Sequence, residues 1–275
     1  MGIPYAEVIG DPVAHSKSPL IHKFWLEKLG IEGDYRATRV TVDELPDYLA
    51  ARRADPDWRG CNVTMPLKEE VLRLADWVDE RTSTIGAVNC LWQQEGRIGA
   101  TNTDFWGLLW TLGLFEAKDP VIVIGSGGAA RATLEYLDGL NACEVHIICR
   151  DRRKGARLLN QFGLYGEAWT FAQEPDIGFG MRLINATPLG MRGQPAMPFT
   201  VLALIERLDR DAGVLDMVYD PPETPLLAAA RRRDLMTANG LGMLVGQASQ
   251  AFEFFFGAKS PGPLDDSDLW ELLTR

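Results

Sequence analysis

Pro120-Val121-Ile122-Val123-Ile124-Gly125-Ser126-Gly127-Gly128-Ala129-Ala130 is the stretch from which the fold of this chain can be read. The apolar, β-branched run predicts a buried strand, and the residues to about Leu137 predict a helix, with a second strand at Glu144 to Cys149. In that context Gly125-x-Gly127-x-x-Ala130 is a dinucleotide fingerprint. Gly125 makes the tight turn, Gly127 lets backbone reach a pyrophosphate, and Ala130 is small enough for close helix packing. A tight turn that holds no ligand is the plainer alternative.

Downstream of this unit the chain reads Cys149-Arg150-Asp151-Arg152-Arg153-Lys154. An NAD site places an acidic residue near the end of the second strand, on the ribose 2′-hydroxyl. A cluster of cations there suits the 2′-phosphate of NADP instead, while Asp151 keeps a free 2′-hydroxyl, and so NAD, open. A solvated helix start is the bland reading of the same charges. Further on, Leu183-Ile184 ends in Asn185-Ala186-Thr187-Pro188-Leu189-Gly190-Met191, and Val214 to Val218 ends in Tyr219-Asp220-Pro221-Pro222. Both are strands that stop at loops on the carboxyl edge, where open α/β sheets bind ligands. A helix follows Gly240-Leu241-Gly242-Met243 and carries Gln247 ahead of Phe252, Phe254, Phe255 and Phe256. It is expected to return to the first lobe.

Upstream, Tyr5 to Ile9, Tyr35 to Val42 and Gly60 to Val63 predict strands, with helices after Pro19 and over Asp43 to Arg53, the rhythm of an open parallel sheet. In His15-Ser16-Lys17-Ser18-Pro19, Ser18 stands at an N-cap and Pro19 at N1, with Leu20, Phe24 and Leu29 on the apolar side of the helix. Its free N–H groups and the two hydroxyls suit a small anion or polyol. In Asn62-Val63-Thr64-Met65-Pro66-Leu67-Lys68-Glu69-Glu70, Pro66 is expected to open a helix over Leu67 to Ala75, which puts Lys68 at its positive end. A cation is disfavoured there, so either a surface pairing with Glu69 or Glu70 or a role in proton transfer keeps it. Ala87 to Trp92 and Arg97 to Ala100 predict paired strands leading to Thr101-Asn102-Thr103-Asp104. Local pattern favours Asp104 as a helix N-cap, and a functional role requires it to meet Lys68 in space.

Composition bounds the class. The chain has 275 residues, 46% of them hydrophobic, which is length for about two domains with well-filled cores. With 28 basic against 38 acidic residues the net charge is −10, which disfavours a nucleic-acid or anionic-membrane surface. Cys61, Cys90, Cys143 and Cys149 are scattered in apolar strand-like stretches without a C-x-x-C pair, as buried, reduced cytosolic thiols would be, and the three histidines lack metal-ligand spacing. Neither a leader, a lipidation signal nor a membrane-spanning run is expected.

Seven motifs, His15-Ser16-Lys17-Ser18-Pro19, Asn62-Val63-Thr64-x-Pro66-x-Lys68, Gly86-Ala87-Val88-Asn89, Asn102-Thr103-Asp104, Gly125-x-Gly127-Gly128-Ala129, Asn185-Ala186-Thr187-Pro188 and Asn239-Gly240-Leu241-Gly242-Met243-Leu244, resemble the shikimate dehydrogenase family in order and spacing. The match runs from about Val8 to Phe252. The resemblance implies a two-lobed α/β enzyme: an open, mostly parallel substrate domain over residues 1–104, a Rossmann-type NADP-binding domain over 105–239, and helices over 240–275 that pack back on the first lobe. It implies reversible, NADPH-dependent reduction of 3-dehydroshikimate to shikimate on the chorismate route to aromatic amino acids. The partner is then a small molecule, the location cytoplasmic, and the chain a monomer or homodimer.

Carried over residue by residue, the resemblance makes Lys68 and Asp104 the catalytic pair. It assigns Ser16, Ser18, Thr64, Asn89, Asp104, Tyr219 and Gln247 to the substrate. Gly125, Ser126, Gly127, Gly128 and Ala129 become the pyrophosphate loop, Cys149, Arg150, Asp151, Arg153 and Lys154 the adenosine-phosphate clamp, and Met217, Gly240 and Glu80 further cofactor positions. Three departures stand out: Cys149-Arg150-Asp151 replaces the common Asn-Arg-Thr, Phe105 stands where glycine usually follows Asn-Thr-Asp, and Gly213 to Met217 is not distinctive. Two rivals stay open: a quinate or quinate/shikimate dehydrogenase using NAD, and a non-catalytic module that senses NADPH.

Overall fold

Every residue of Tyr5–Gly10 (β1) is buried, so this strand is covered on both faces and lies inside a sheet rather than at its edge. After Ser18–Leu29 (α1) the chain returns as Asp34–Arg39 (β2), and after Leu45–Arg53 (α2) as Trp58–Val63 (β3). Both strands pair with β1 in parallel, one on each side. Trp77–Val78 (β4), Glu80–Ile85 (α3), Cys90–Gln94 (β5) and Arg97–Thr101 (β6) follow. The sheet order is β2-β1-β3-β5-β6-β4, and β5 runs against its neighbours. Glu95 and Gly96, at φ 52° and 76°, make the tight turn that the β5–β6 hairpin needs.

Asp104–Leu112 (α4) leads to a second sheet. It is built from Val121–Ile124 (β7), Gly128–Gly139 (α5), Val145–Ile148 (β8), Arg152–Gln161 (α6), Ala168–Trp169 (β9), Arg182–Asn185 (β10), Phe199–Leu204 (α7), Gly213–Asp216 (β11), Pro225–Arg231 (α8) and Met236–Asn239 (β12). Its strands pair in parallel in the order β12-β11-β10-β7-β8-β9. That is the doubly wound 3-2-1-4-5-6 order, which reverses between β7 and β10. Gly240–Phe256 (α9) and Ser267–Thr274 (α10) come after it. This computed structural model describes residues 2–113, 119–173, 175, 182–262 and 266–274. The chain forms two compact units, Met1–Gly107 with Leu244–Arg275, and Leu108–Met243.

In the first unit, β1 puts Tyr5 and Ile9 into a cluster with Leu45 and Leu49 of α2, and Ala6 and Val8 into one with Tyr35, Ala251 and Phe255. The alternation of a strand thus feeds two cores, one on each face of the sheet. Gly60, at φ 152°, lies where an added Cβ would fall 2.2 Å from the Leu91 carbonyl, so the β3–β5 approach requires glycine.

Three local expectations are corrected. First, α1 buries Ser18, Ile21, His22, Trp25 and Leu26, whereas Leu20 and Leu29 are exposed. The expected stripe was off by about one residue, because His22, a polar residue by type, belongs to the buried face. Second, Lys17, not Ser18, is the N-cap, and its side chain makes no capping bond. Third, the helix expected over Leu67 to Ala75 is a series of turns followed by a short 3₁₀ segment, Val71–Leu74. The Lys68 carbonyl accepts from Val88 N at 2.8 Å, a tertiary bond that takes an acceptor a helix would have used.

His22 has a cost that can be measured. Its ring stacks on Tyr35 at 4.0 Å and 2°, within reach of Trp25, Phe252 and Phe255, and neither ring nitrogen has a hydrogen-bond partner among the described residues. Burial therefore lowers its pKa to about 3. Because the unfolded chain takes up this proton near pH 6.5 and the folded one does not, stability falls as pH drops, by about 1.4 kcal/mol per unit down to the folded pKa. Urea unfolding at pH 7 and pH 4.5 is expected to show about 2–3 kcal/mol more loss in the wild type than in His22→Leu. Equal losses would exclude His22 as an acid trigger.

Candidate active site

The first sheet delivers its polar side chains to one edge. β1, β3 and β6 end there, and β5, running the other way, begins there. Ser16 and Ser18 follow β1, Thr64 and Lys68 follow β3, Asn89 precedes β5, and Asn102-Thr103-Asp104 follows β6. Gly10 makes this edge close-packed, since a Cβ would lie 2.4 Å from Thr64 Cγ2 and 2.7 Å from the Met65 carbonyl oxygen. Asp11 N also donates to that oxygen at 2.9 Å, which ties the loops after β1 and β3 together.

Lys68 Nζ forms an ion pair with Asp104 Oδ2, their side chains 16% and 6% exposed. Asp104 is not a cap. Its backbone N–H donates to Asn102 Oδ1 at 3.0 Å, so Asn102 serves the start of α4 and leaves the Asp104 carboxylate for other partners. Asn89 Nδ2 donates to Asp104 Oδ1 at 2.8 Å, and Asn89 Oδ1 accepts from Thr103 N at 2.6 Å. Gln247 Oε1, from α9, accepts from Thr103 Oγ1 and Asn62 Nδ2, each at 3.3 Å. Tyr35 Oη donates to Asn62 Oδ1 at 2.6 Å. One hydrogen-bonded network thus runs from Tyr35 to Lys68, and a satisfied buried network holds a single geometry.

Within this cluster the structure brings together Lys68, Asp104, Asn89 and Gln247. Ser16, Ser18 and Thr64 lie on the same edge without a direct bond to the ion pair. Ser16 Oγ accepts from Ser18 N at 3.2 Å, while Ser18 Oγ and Thr64 Oγ1 make no hydrogen bond among the described residues. Sequence reasoning gave no role to Asn62, Thr103 or Tyr35. The available signal was Asn62 itself, an amide inside the otherwise apolar end of a buried strand. Phe105 is covered by the Arg81 guanidinium, 4.2 Å from its ring centroid, so the residue in the glycine position is packed against α3. Glu80, also on α3, is exposed, and its side chain bonds none of the other candidates.

In the second unit, Gly125 has φ 118°, and a Cβ there would meet Thr187 Cγ2 at 2.9 Å, so the Asn185 to Pro188 loop can close on the turn only if the residue is glycine. Gly127, the N-cap of α5, has nothing within 4 Å of an added Cβ. The start of α5 with its unpaired N–H groups is therefore open, as a pyrophosphate cradle must be. Gly240 adjoins Met217, whose carbonyl oxygen an added Cβ would meet at 2.0 Å.

Cys149 is buried, which raises its thiol pKa, and its Sγ donates to the Asp151 carbonyl at 3.1 Å. Asp151 caps α6, its Oδ1 accepting from Arg153 N at 2.9 Å and Lys154 N at 3.3 Å. Arg150, Asp151 and Arg153 are exposed. Arg152 turns away, its Nε donating to the Ala168 carbonyl at 2.8 Å.

Gly213 to Met217 carries a buried carboxylate, Asp216. Fully buried, with burial pushing its pKa up, Asp216 accepts from Asn185 Nδ2 at 2.8 Å, Val218 N at 3.1 Å and Thr224 Oγ1 at 2.6 Å. One carboxylate thus ties the end of β10 to both ends of the loop between β11 and α8, the loop that carries Tyr219. Among the described residues there is no cluster of three or more His, Cys, Asp or Glu able to hold a metal ion, and no helix long and apolar enough to cross a membrane.

Residues 8–91 match the sequence family described as the shikimate dehydrogenase substrate binding domain. Over 266 residues, 96% of this chain and 94% of the relative, the sequence is 48% identical to the NADP(+) shikimate dehydrogenase of Sphingopyxis alaskensis. The structure is similar to the Thermus thermophilus shikimate 5-dehydrogenase in complex with NADP(H) and shikimate, with a TM-score of 0.82 and 34% identity over 98% of each chain. It is also similar to the Listeria monocytogenes enzyme in complex with shikimate and NAD, with a TM-score of 0.81 and 26% identity over 98% of this chain and 96% of that one.

Proposed function

The chain belongs to the shikimate dehydrogenase family, and from that premise we infer that Lys68 and Asp104 serve the reversible, NADPH-dependent reduction of 3-dehydroshikimate to shikimate in aromatic amino-acid biosynthesis. The Lys68–Asp104 ion pair within the Asn89 and Gln247 network is the observation that carries this reading. It also counts against a non-catalytic NADPH sensor, which would need the glycine loop but no proton-transfer pair. The four cysteines are free, Cys61, Cys90 and Cys149 buried as expected and Cys143 exposed, and free thiols support a reducing cytoplasmic location.

NADPH, when bound, supplies hydride to the substrate's carbonyl carbon. The open loop Gly125 to Ala129 and the start of α5 suit its pyrophosphate, with Met217 and Gly240, which lie beside each other, and Glu80 as further cofactor positions. As negative charge grows on the carbonyl oxygen, the Lys68 ammonium stabilises it and transfers a proton to it, becoming the neutral amine. In the reverse direction that amine takes the proton from the shikimate hydroxyl. Asp104 holds the ammonium in place and offers its carboxylate to a neighbouring substrate hydroxyl. Ser16, Ser18, Thr64, Asn89, Tyr219 and Gln247 recognise the remaining oxygens, and a site built on hydrogen bonds penalises a substrate that leaves them unmet.

Initial rates with shikimate and quinate, each with NADP and with NAD, test the assignment. Shikimate with NADP is expected to be the fastest pairing. Turnover of quinate with NAD at an equal or higher rate would instead make the chain a quinate dehydrogenase.

The clamp gives a separate prediction. Arg150→Ala is expected to weaken NADP about ten- to a hundredfold and NAD by much less, since a charge-assisted bond to phosphate is worth about 1.5–3 kcal/mol. Asp151→Ser keeps a capping oxygen but removes a like charge from the phosphate site, so NADP should bind more tightly and NAD more weakly. Cofactor Kd values at one ionic strength decide. Equal losses of NADP and NAD in Arg150→Ala would exclude the clamp.

A further inference from the structure

α10 lies antiparallel on α1 and is tied to it at both ends. Lys28, in the last turn of α1, bridges Asp266 at 2.7 Å, and Asp266 Oδ1 in turn accepts from Leu269 N at 3.4 Å at the start of α10. At the other end Lys17 Nζ donates to the carbonyl oxygen of Leu273, in the last turn of α10. Leu269 and Leu273 are fully buried.

Lys17 is the N-cap of α1, where an ammonium opposes the positive end of that helix. The same ammonium meets the negative end of α10, which offsets the penalty. It also stands between Ser16 and Ser18, whose turn is closed by the Ser18 N to Ser16 Oγ bond. A tether at Lys17 therefore acts on both hydroxyls at once.

We propose that Lys17 is a positioning residue: by anchoring the Ser16-Lys17-Ser18 turn to the carboxyl end of α10, it sets the two serine hydroxyls for the substrate, making α10 a strap on the substrate site. This rests on the reading of Ser16 and Ser18 as substrate contacts. The ammonium donates to the Leu273 carbonyl and Lys17 acts through its neighbours, while the proton chemistry stays with Lys68 and Asp104.

The test compares Lys17→Met, Lys17→Arg and Lys28→Met in the full chain, by steady-state kinetics and by amide hydrogen exchange. Lys17→Met is expected to raise the KM for shikimate about tenfold, with kcat and the KM for NADP within about twofold, because misplaced binding groups cost affinity before chemistry. Lys17→Arg, which still donates to Leu273, should recover most of that loss. Lys28→Met, which loosens the far end of α10, should raise the same KM by a smaller factor, about threefold. Exchange in Lys17→Met should quicken both in residues 16–18 and in 267–274. An unchanged shikimate KM in an active Lys17→Met overturns the proposal, as does a fall in kcat to match the rise in KM. A raised KM without faster exchange in α10 also overturns it, and makes the ammonium a direct partner of the substrate carboxylate. A wild type that does not turn over shikimate would refute the proposed function, and the exchange data would then decide the strap alone.

Discussion

Lys68→Met is expected to lower kcat by about 10²–10⁴-fold while leaving the KM for shikimate within about tenfold, since proton transfer from a positioned side chain contributes rate rather than ground-state affinity. The variant keeps the aliphatic stem and removes only the ammonium, so packing around residue 68 changes little. Asp104 would keep Asn89 Nδ2 but lose its counter-ion in a nearly buried position. Some stability should therefore be lost, and kcat must be measured well below the variant's Tm. A kcat near the wild-type value in well-folded Lys68→Met would remove Lys68 from the chemistry.

Asp104→Asn is expected to cost about 10²-fold in kcat and to raise the KM for shikimate as well, since Asp104 has two duties. The Asp104 carboxylate accepts from Lys68 on one oxygen and from Asn89 on the other. An amide of the same shape has one acceptor and one donor, so Lys68 or Asn89 must then face an N–H. Either orientation disturbs the network, yet the start of α4 is untouched because Asn102 serves it. The pattern is therefore a kinetic loss with little change at the helix. A lower Tm with unchanged kcat and KM would return Asp104 to a purely structural role.

The sequence by itself determined the features whose causes lie within a few residues. The strand, glycine turn and helix from Pro120 onward were legible because buried-strand composition and the backbone freedom of Gly125 are local properties. The same holds for the β5–β6 hairpin at Glu95-Gly96 and for the alternation of strands and helices, from which the parallel sheets follow. Only the tertiary structure decided which partner each polar group meets. Lys68 and Asp104 are 36 residues apart, and only the side-by-side arrangement of β3, β5 and β6 brings them, with Asn89, to one edge. The helix expected after Pro66 is absent because Val88, from another segment, claims the Lys68 carbonyl. His22 lies in the core, Asp104 looked like a cap and pairs with Lys68, and Asp151, a candidate ribose acceptor, also caps α6. Backbone preference is set by near neighbours, so short patterns reveal it. The choice among competing donors and acceptors depends on strand registers to which distant residues contribute, and no window of sequence contains them all.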